Sequence, residues 1–316
     1  MISSPYVESL ALINRREFIQ MASSSLALIP LAYPVALAAS EGKQLPTRLI
    51  PSSGEKLPVL GLGQSSAFRN GDLALSTELL DLLIEFGGQF VDIGGTSQQV
   101  LGQYMKKQQA HDQLFLGTNV FSSSEEELLD EIKQARNAQG KTTLDLVQMR
   151  SFDDIDRQWR RLLKAKEAGL TRHVGFATAR KAYYEPLMKL MVAGTMDFVQ
   201  INYSILEQDA ADRLLPLAHD KGVAVVTNRP FINGQYFPLV SGRQLPEWAQ
   251  EFDCHSWAQF SLKFILANPA VNCVLTETSK TKHAIDNLSA GFGGLPDEPT
   301  RQRMSSLIRS FLPNAS

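Results

Sequence analysis

The chain has 316 residues, 44% of them hydrophobic, and 31 lysines and arginines against 33 acids give a formal charge of −2. That balance, with both signs mixed along the chain, excludes a phosphate-tracking surface, so nucleic acid is not an expected partner. Five scattered histidines, two cysteines and no CxxC or HExxH spacing argue against a protein-built metal site, and Cys254 and Cys273 read as buried thiols rather than a disulfide.

In chain order, the first residues stand apart. Asn14-Arg-Arg-Glu-Phe-Ile-Gln20 pairs two arginines with a following aromatic, and the next twenty residues, MASSSLALIPLAYPVALAAS, are uncharged, small and apolar. This resembles a twin-arginine export signal over residues 1–38, with Ala36-Leu37-Ala38 as the cleavage site and residues 39–316 as the mature domain. A membrane anchor is the competing reading, and Pro30 and Pro34 interrupt the run against it. The resemblance implies that Arg15 and Arg16 engage the export machinery. It also implies that the folded protein reaches the periplasm and keeps no membrane association after processing.

RLIPSSGEKLPV (48–59), with its Ser-Gly-Glu turn between apolar runs, predicts a β-hairpin. Strand-like runs follow at 57–63, 90–94, 114–120, 144–150, 173–178, 198–204, 223–229 and 273–278. Between and after them, helical periodicity appears at 76–86, 98–108, 123–137, 155–168, 181–193, 208–219, 257–267, 281–290 and 298–311. In SWAQFSLKF (256–264), Trp257, Phe260 and Phe264 form a core-facing stripe. An uninterrupted series of eight β-then-α units predicts a single (β/α)8 TIM barrel preceded by the hairpin. The open doubly wound alternative lacks a Gly-rich GxGxxG after its first strand.

In such a barrel, function sits where strands end. Those positions carry Gln64, Asp92 to Thr96, Asn119, Arg150 to Asp154, Asn202 to Ser204, Asn228 to Phe231 and Thr276 to Lys280. Arg150, Arg229 and Lys280 make this rim receptive to an anionic or phosphorylated small molecule or nucleotide.

Several segments, in order and spacing, resemble the aldo-keto reductase family: LPVLGLG, FVD followed by GTSQQVLG, LDLVQM, RHVGF, FVQINYS and TSKTKHAIDNL. The resemblance covers nearly everything after the export segment. It implies an NADP(H)-binding barrel whose Asp, Tyr, Lys and His surround a carbonyl, with Tyr as proton donor and Lys lowering its pKa. Carried over position by position, Asp92 matches the acid. The segment that would bear the tyrosine is shortened, Asn119 stands at the lysine position and Arg150 at the histidine position. Neither an amide nor a guanidinium gives up a proton near neutral pH, although Arg150 can stabilise an oxyanion. Tyr203 and Tyr236 are candidate surrogate acids, whereas Tyr104 falls inside a helix and is expected to pack. The exchange of Lys for Asn and of His for Arg predicts an Asp92–Arg150 ion pair across the mouth. Arg150 turned towards solvent or towards Asp153 and Asp154 is the alternative.

For the cofactor, the resemblance assigns Gln200 to the nicotinamide carboxamide. It assigns Tyr203, Phe231 and Gly234, with Thr278, Ser279, Lys280, His283 and Asn287, to the rest of the dinucleotide. Ile232 occupies a glycine position of the pyrophosphate loop, and Glu277 is a poor neighbour for a 2′-phosphate. Three readings follow. In the first, an exported barrel has lost tyrosine-based carbonyl reduction and acts as a binding or scaffold protein. In the second, an atypical NADP(H)-dependent oxidoreductase loads its cofactor before export. In the third, the barrel serves unrelated chemistry, such as a lyase with Asp92 as base.

Overall fold

Alternation along short apolar strands decides the architecture, because each strand must bury one face inside a barrel and the other beneath helices. The computed structural model describes residues 44–312. The expected export segment, with Arg15 and Arg16, lies outside the described residues. β1 (Thr47–Leu49) and β2 (Lys56–Pro58) pair antiparallel, turning through Ile50 to Glu55 with Gly54 at φ +74°. Only glycine takes that left-handed value without strain. Arg48 anchors this hairpin by donating to the carbonyl oxygens of Leu266, Asn268 and Val271.

Eight strands follow: β3 (Leu60–Leu62), β4 (Phe90–Gly94), β5 (Phe115–Val120), β6 (Leu144–Met149), β7 (Thr171–Ala177), β8 (Phe198–Asn202), β9 (Ala224–Asn228) and β10 (Cys273–Thr276). All neighbours are parallel, and β10 pairs with β3 to close the barrel, as the sequence predicts. Inward residues at the strand starts, Phe90, Phe115, Leu146 and Phe198, pack on Ile50 and Leu57 of the hairpin and seal the N-terminal end. Among the described residues the other end is therefore the way into the barrel interior.

Helices α1 (Ser66–Arg69), α2 (Leu73–Glu85), α3 (Ser97–Gln108), α4 (Glu125–Gln139), α5 (Ile155–Glu167), α6 (Tyr184–Val192) and α7 (Leu214–Asp220) cover the outside. They are joined by α8 (Tyr236–Val240), α9 (Trp257–Leu266), α10 (Thr281–Ser289) and α11 (Glu298–Arg309). Several begin on the side chain that the sequence offers: Asp72, Ser124, Asp154, Ser256 and Asp297 each accept a backbone N–H of the first turn. Each such cap is worth about 1 kcal/mol. The helix expected over 208–219 starts only at Leu214, because Ser204 and Glu207 close a hydrogen-bonded loop ahead of it. Cys254 and Cys273 are free and buried. Among the described residues no helix is long and apolar enough to cross a membrane.

Gly102 on α3 lets that helix approach α4 closely; a Cβ there would overlap the carbonyl oxygen of Ala138. Gly102→Ala is expected to destabilise the fold by about 2 kcal/mol despite alanine's higher helix propensity, read as a lowered urea midpoint at unchanged slope.

Candidate active site at the C-terminal mouth

Asp92 sits two residues after the floor residue Phe90 on β4, so it points into the barrel one layer nearer the mouth. Its Oδ1 accepts from Asn119 Nδ2 at 2.9 Å and from Gln148 Nε2 at 3.0 Å, and its Oδ2 from Gln200 Nε2 at 3.3 Å. Asn119 is fixed further, since the same amide nitrogen donates to the carbonyl oxygen of Ile93 at 3.0 Å. Asp92 keeps 6% exposure. Burial pushes its carboxyl up to about 6, against the opposing pull of Arg150 and the amide hydrogen bonds and with some help from Glu277.

Gln148 escaped the sequence reading. The signal was available: it lies on β6 two residues before Arg150, which directly follows that strand, hence on the same inward face. What hid it was the family pattern, which directs attention to the strand's end.

The expected Asp92–Arg150 ion pair is not formed. Arg150 Nη1 instead donates to Asn119 Oδ1 at 3.4 Å, so one carboxamide stands between the guanidinium and the carboxylate. The reason is strand order: β5, which carries Asn119, lies between β4 and β6. Nor does Arg150 turn to Asp154, which caps α5 and pairs with Arg157 at 2.8 Å.

The tyrosines are committed elsewhere. Tyr203 follows the inward Asn202 and therefore points outward; fully buried, it packs on Phe264, and its hydroxyl meets Arg301 Nη2 at 2.6 Å. It is neither a cofactor contact nor a surrogate acid at the mouth, which corrects the expectation. Tyr236 is also fully buried and donates to the carbonyl oxygen of Trp257 at 3.0 Å. Tyr104 packs as expected and donates to Asp81 at 2.8 Å. Tyr184, which the sequence did not single out, reaches Asn202 Oδ1 at 2.8 Å, and burial pushes its phenol above the ordinary range. Tyr183 stacks on Phe152 at the rim, centroids 4.0 Å apart.

The GGTS corner after β4 is braced rather than open. Gly95 takes φ +57°, and the Gln64 carboxamide donates to the Gly94 carbonyl at 2.8 Å and to Ser97 Oγ at 2.9 Å. Beside it, Glu277 lies against Gly63, where a Cβ would come within 2.6 Å of Glu277 Cγ, and its carboxylate stands 3.7 Å from Arg69.

Of the residues assigned to a dinucleotide, Gln200 is 2% exposed; its Nε2 serves Asp92, and its Oε1 is buried with no hydrogen-bond partner. Ile232, Asn233 and Gly234 take φ +52°, +53° and +88° in succession. A β-branched residue in that region is strained, so the loop keeps a glycine-like backbone without its glycine. Phe231 packs against Phe237, centroids 4.9 Å apart. Ser279 bonds to Ser66 and accepts from the backbone N–H of Ala67 at 3.3 Å, locking its loop to α1. Thr278 Oγ1 accepts from the backbone N–H of Lys280, which precedes α10 as its N-cap, and Asn287 is buried on the same helix. Exposed Lys280, Lys282 and His283 crowd this helix start, and burial together with the two lysines holds the imidazole below its usual value. Such a helix start favours anions.

Concavities of about 470 and 650 Å³ lie at the opposite, N-terminal end, crossed by the ion pairs Lys141–Asp145, Arg172–Glu55 and Lys166–Asp197. Among the described residues no cluster of His, Cys, Asp and Glu is arranged for a metal ion.

Fold and site thus define a closed parallel barrel with a polar mouth at the strand ends. Residues 59–303 match the aldo/keto reductase family, and the chain belongs to that family. Solved structures agree at the level of fold. The aldo-keto reductase AKR11C1 from Bacillus halodurans, in its holo form, is 21% identical, with 86% of this chain and 98% of that one covered at a TM-score of 0.68. An aldo/keto reductase from Klebsiella pneumoniae in complex with NADP and acetate is 17% identical, covering 87% and 97% at a TM-score of 0.66. The thermostable aldo-keto reductase Tm1743, in complex with the inhibitor epalrestat, is 18% identical, covering 85% and 100% at 0.67.

Proposed function

We propose that this chain is an NADP(H)-dependent oxidoreductase of atypical mechanism, exported by the twin-arginine route to the periplasm, in which tyrosine-centred carbonyl reduction is absent. The observation that carries cofactor binding is the buried, unpartnered Oε1 of Gln200 beside Asp92. An unsatisfied buried carbonyl oxygen costs about 1–3 kcal/mol, and a carboxamide N–H from a bound nicotinamide would relieve it. The phosphate end fits the start of α10, where Lys280, Lys282 and His283 gather. Thr278 and the backbone N–H groups of the first turn complete that end. The aldo/keto reductase from Klebsiella pneumoniae, which shares the fold, was crystallised with NADP, in keeping with this reading. Bound in reduced form, the cofactor supplies a hydride. The chain's own part is to orient the nicotinamide through Gln200, to attract the phosphates, and to place Asp92 and the Arg150 charge beside the reacting oxygen. Export of an already folded barrel allows the cofactor to travel inside it.

A second reading, a binding or scaffold barrel without chemistry, is favoured by the strained Ile232 in the pyrophosphate loop and by Glu277 lying across Gly63. Fluorescence titration of the signal-free protein with NADPH and NADH separates the two. Micromolar NADPH binding, weakened about tenfold or more (about 1.4 kcal/mol) by Lys280→Glu, is the expected result. No binding at millimolar cofactor would leave the second reading.

A further inference from the structure

We infer that Asp92 itself, rather than a tyrosine, gives the proton to the substrate's carbonyl oxygen. The inference rests on the reading of the barrel as an NADP(H)-dependent oxidoreductase.

Inward positions of the upper barrel can be named strand by strand from the alternation. They are Gly61 and Gly63 on and after β3, Asp92 and Gly94 on β4, Gly117 and Asn119 on β5, and Gln148 and Arg150 on and after β6. Gly175 and Ala177 on β7, Gln200 and Asn202 on β8, Val226 and Asn228 on β9, and Leu275 and Glu277 on and after β10 complete the ring. No histidine, lysine, tyrosine or cysteine is among them, and Tyr184, which reaches the ring at Asn202, is held there with its phenol pushed above its ordinary range by burial. The charged groups facing Asp92 are Arg150 and Glu277. A guanidinium is no general acid near neutral pH. Glu277 stands further out with 57% of its side chain exposed, engaged with Arg69. Asp92 alone is both enclosed and able to exchange a proton near neutral pH.

Its surroundings serve both protonation states. Asn119, Gln148 and Gln200 present N–H donors to the carboxylate that remains after the proton leaves. Asn119 cannot turn over, because its nitrogen also holds the Ile93 carbonyl and its oxygen faces Arg150. Gln148 can, since its Oε1 is buried and unpartnered, whereas Gln200 keeps its Nε2 on Asp92 and its Oε1 for the nicotinamide. Half a turn of the Gln148 amide would set an acceptor against the protonated acid, with its N–H2 group taking the place the oxygen leaves. The carboxyl's elevation to about 6 agrees with this arrangement.

The balance is simple. As hydride from the reduced cofactor adds to the carbonyl carbon, the π pair of the C=O bond moves to oxygen, which takes the proton from Asp92. The products are an alcohol, the oxidised cofactor and the Asp92 carboxylate, and water entering through the mouth restores the proton.

The first readout needs no activity. Carboxyl ¹³C NMR of the cofactor-free protein is expected to show one aspartate titrating near 6 that vanishes in Asp92→Asn. Next, with a reactive α-dicarbonyl and NADPH, Asp92→Asn is expected to reduce kcat by about 100-fold or more while cofactor affinity stays within about threefold, and to abolish the fall in rate above pH 6. Tyr183→Phe should leave rate and profile unchanged. Titration of Asp92 near 4, an undiminished rate in Asp92→Asn, a collapse in Tyr183→Phe, or firm cofactor binding without any reduction would each overturn the assignment. Failure to bind cofactor at all would instead remove the parent reading, and this one with it.

Discussion

Asp92→Asn is expected to make the protein more stable at pH 7.5, by about 3 kcal/mol. The magnitude follows from a carboxyl raised from 3.8 to about 6 by burial, each pKa unit being worth about 1.4 kcal/mol. The folded state binds this proton more tightly than the unfolded chain does. Its stabilising contribution is therefore complete below about pH 4, falls as pH rises to about 6, and stays lost above that. Asparagine has no such penalty: its oxygen still accepts from Asn119 and Gln148, and its nitrogen meets Gln200 Oε1 after one amide turn. Urea unfolding at pH 4.5 and 7.5 should show a gain that is much the larger at the higher pH. Equal or lower stability of the variant at pH 7.5 would mean that the amides hold the anion better than burial opposes it. A residue kept at a stability cost is the pattern expected of a working group rather than an inherited one.

Lys263→Ala is expected to cost about 4 kcal/mol. Lys263 is fully buried on α9, and its Nζ donates to the carbonyl oxygens of Phe292 at 2.6 Å and Gly294 at 2.9 Å, fastening the segment after α10. Truncation leaves a cavity where the stem ran and strips two carbonyls of their donor. In a domain of this size the melting temperature should drop by about 10 °C. Lys263→Met, which keeps the volume and loses only the donors, should recover about half of that. A melting temperature within about 2 °C of the wild type for the alanine variant would contradict this account.

Lys263 also shows where pattern reading ends. Trp257, Phe260 and Phe264 announce a buried stripe on that helix, yet the lysine between them is buried just as deeply. Helical periodicity marks which face is apolar. It does not say that neighbouring elements will enclose the opposite side and leave carbonyls for an ammonium to satisfy.

At the mouth, Asp92, Asn119 and Arg150 were readable as strand-end residues and Gln200 through the family resemblance, and the structure brings them together around one carboxylate. Tyr203 misled because it is one residue past an inward position, and a single step along a strand reverses the face. Arg150 misled because charge complementarity suggests partners without distances. Strand order places the Asn119 amide in the interval instead.

The order of eight strands, the hairpin ahead of them, the helix caps and the acid at the end of the second barrel strand are determined by local sequence, since period, turn chemistry and capping act over a few residues. The amide cage, the relay from Arg150 through Asn119, the outward tyrosines and the elevated Asp92 carboxyl were decided by tertiary structure alone. They depend on which strands lie side by side, and on how much water closing the barrel leaves around one buried charge.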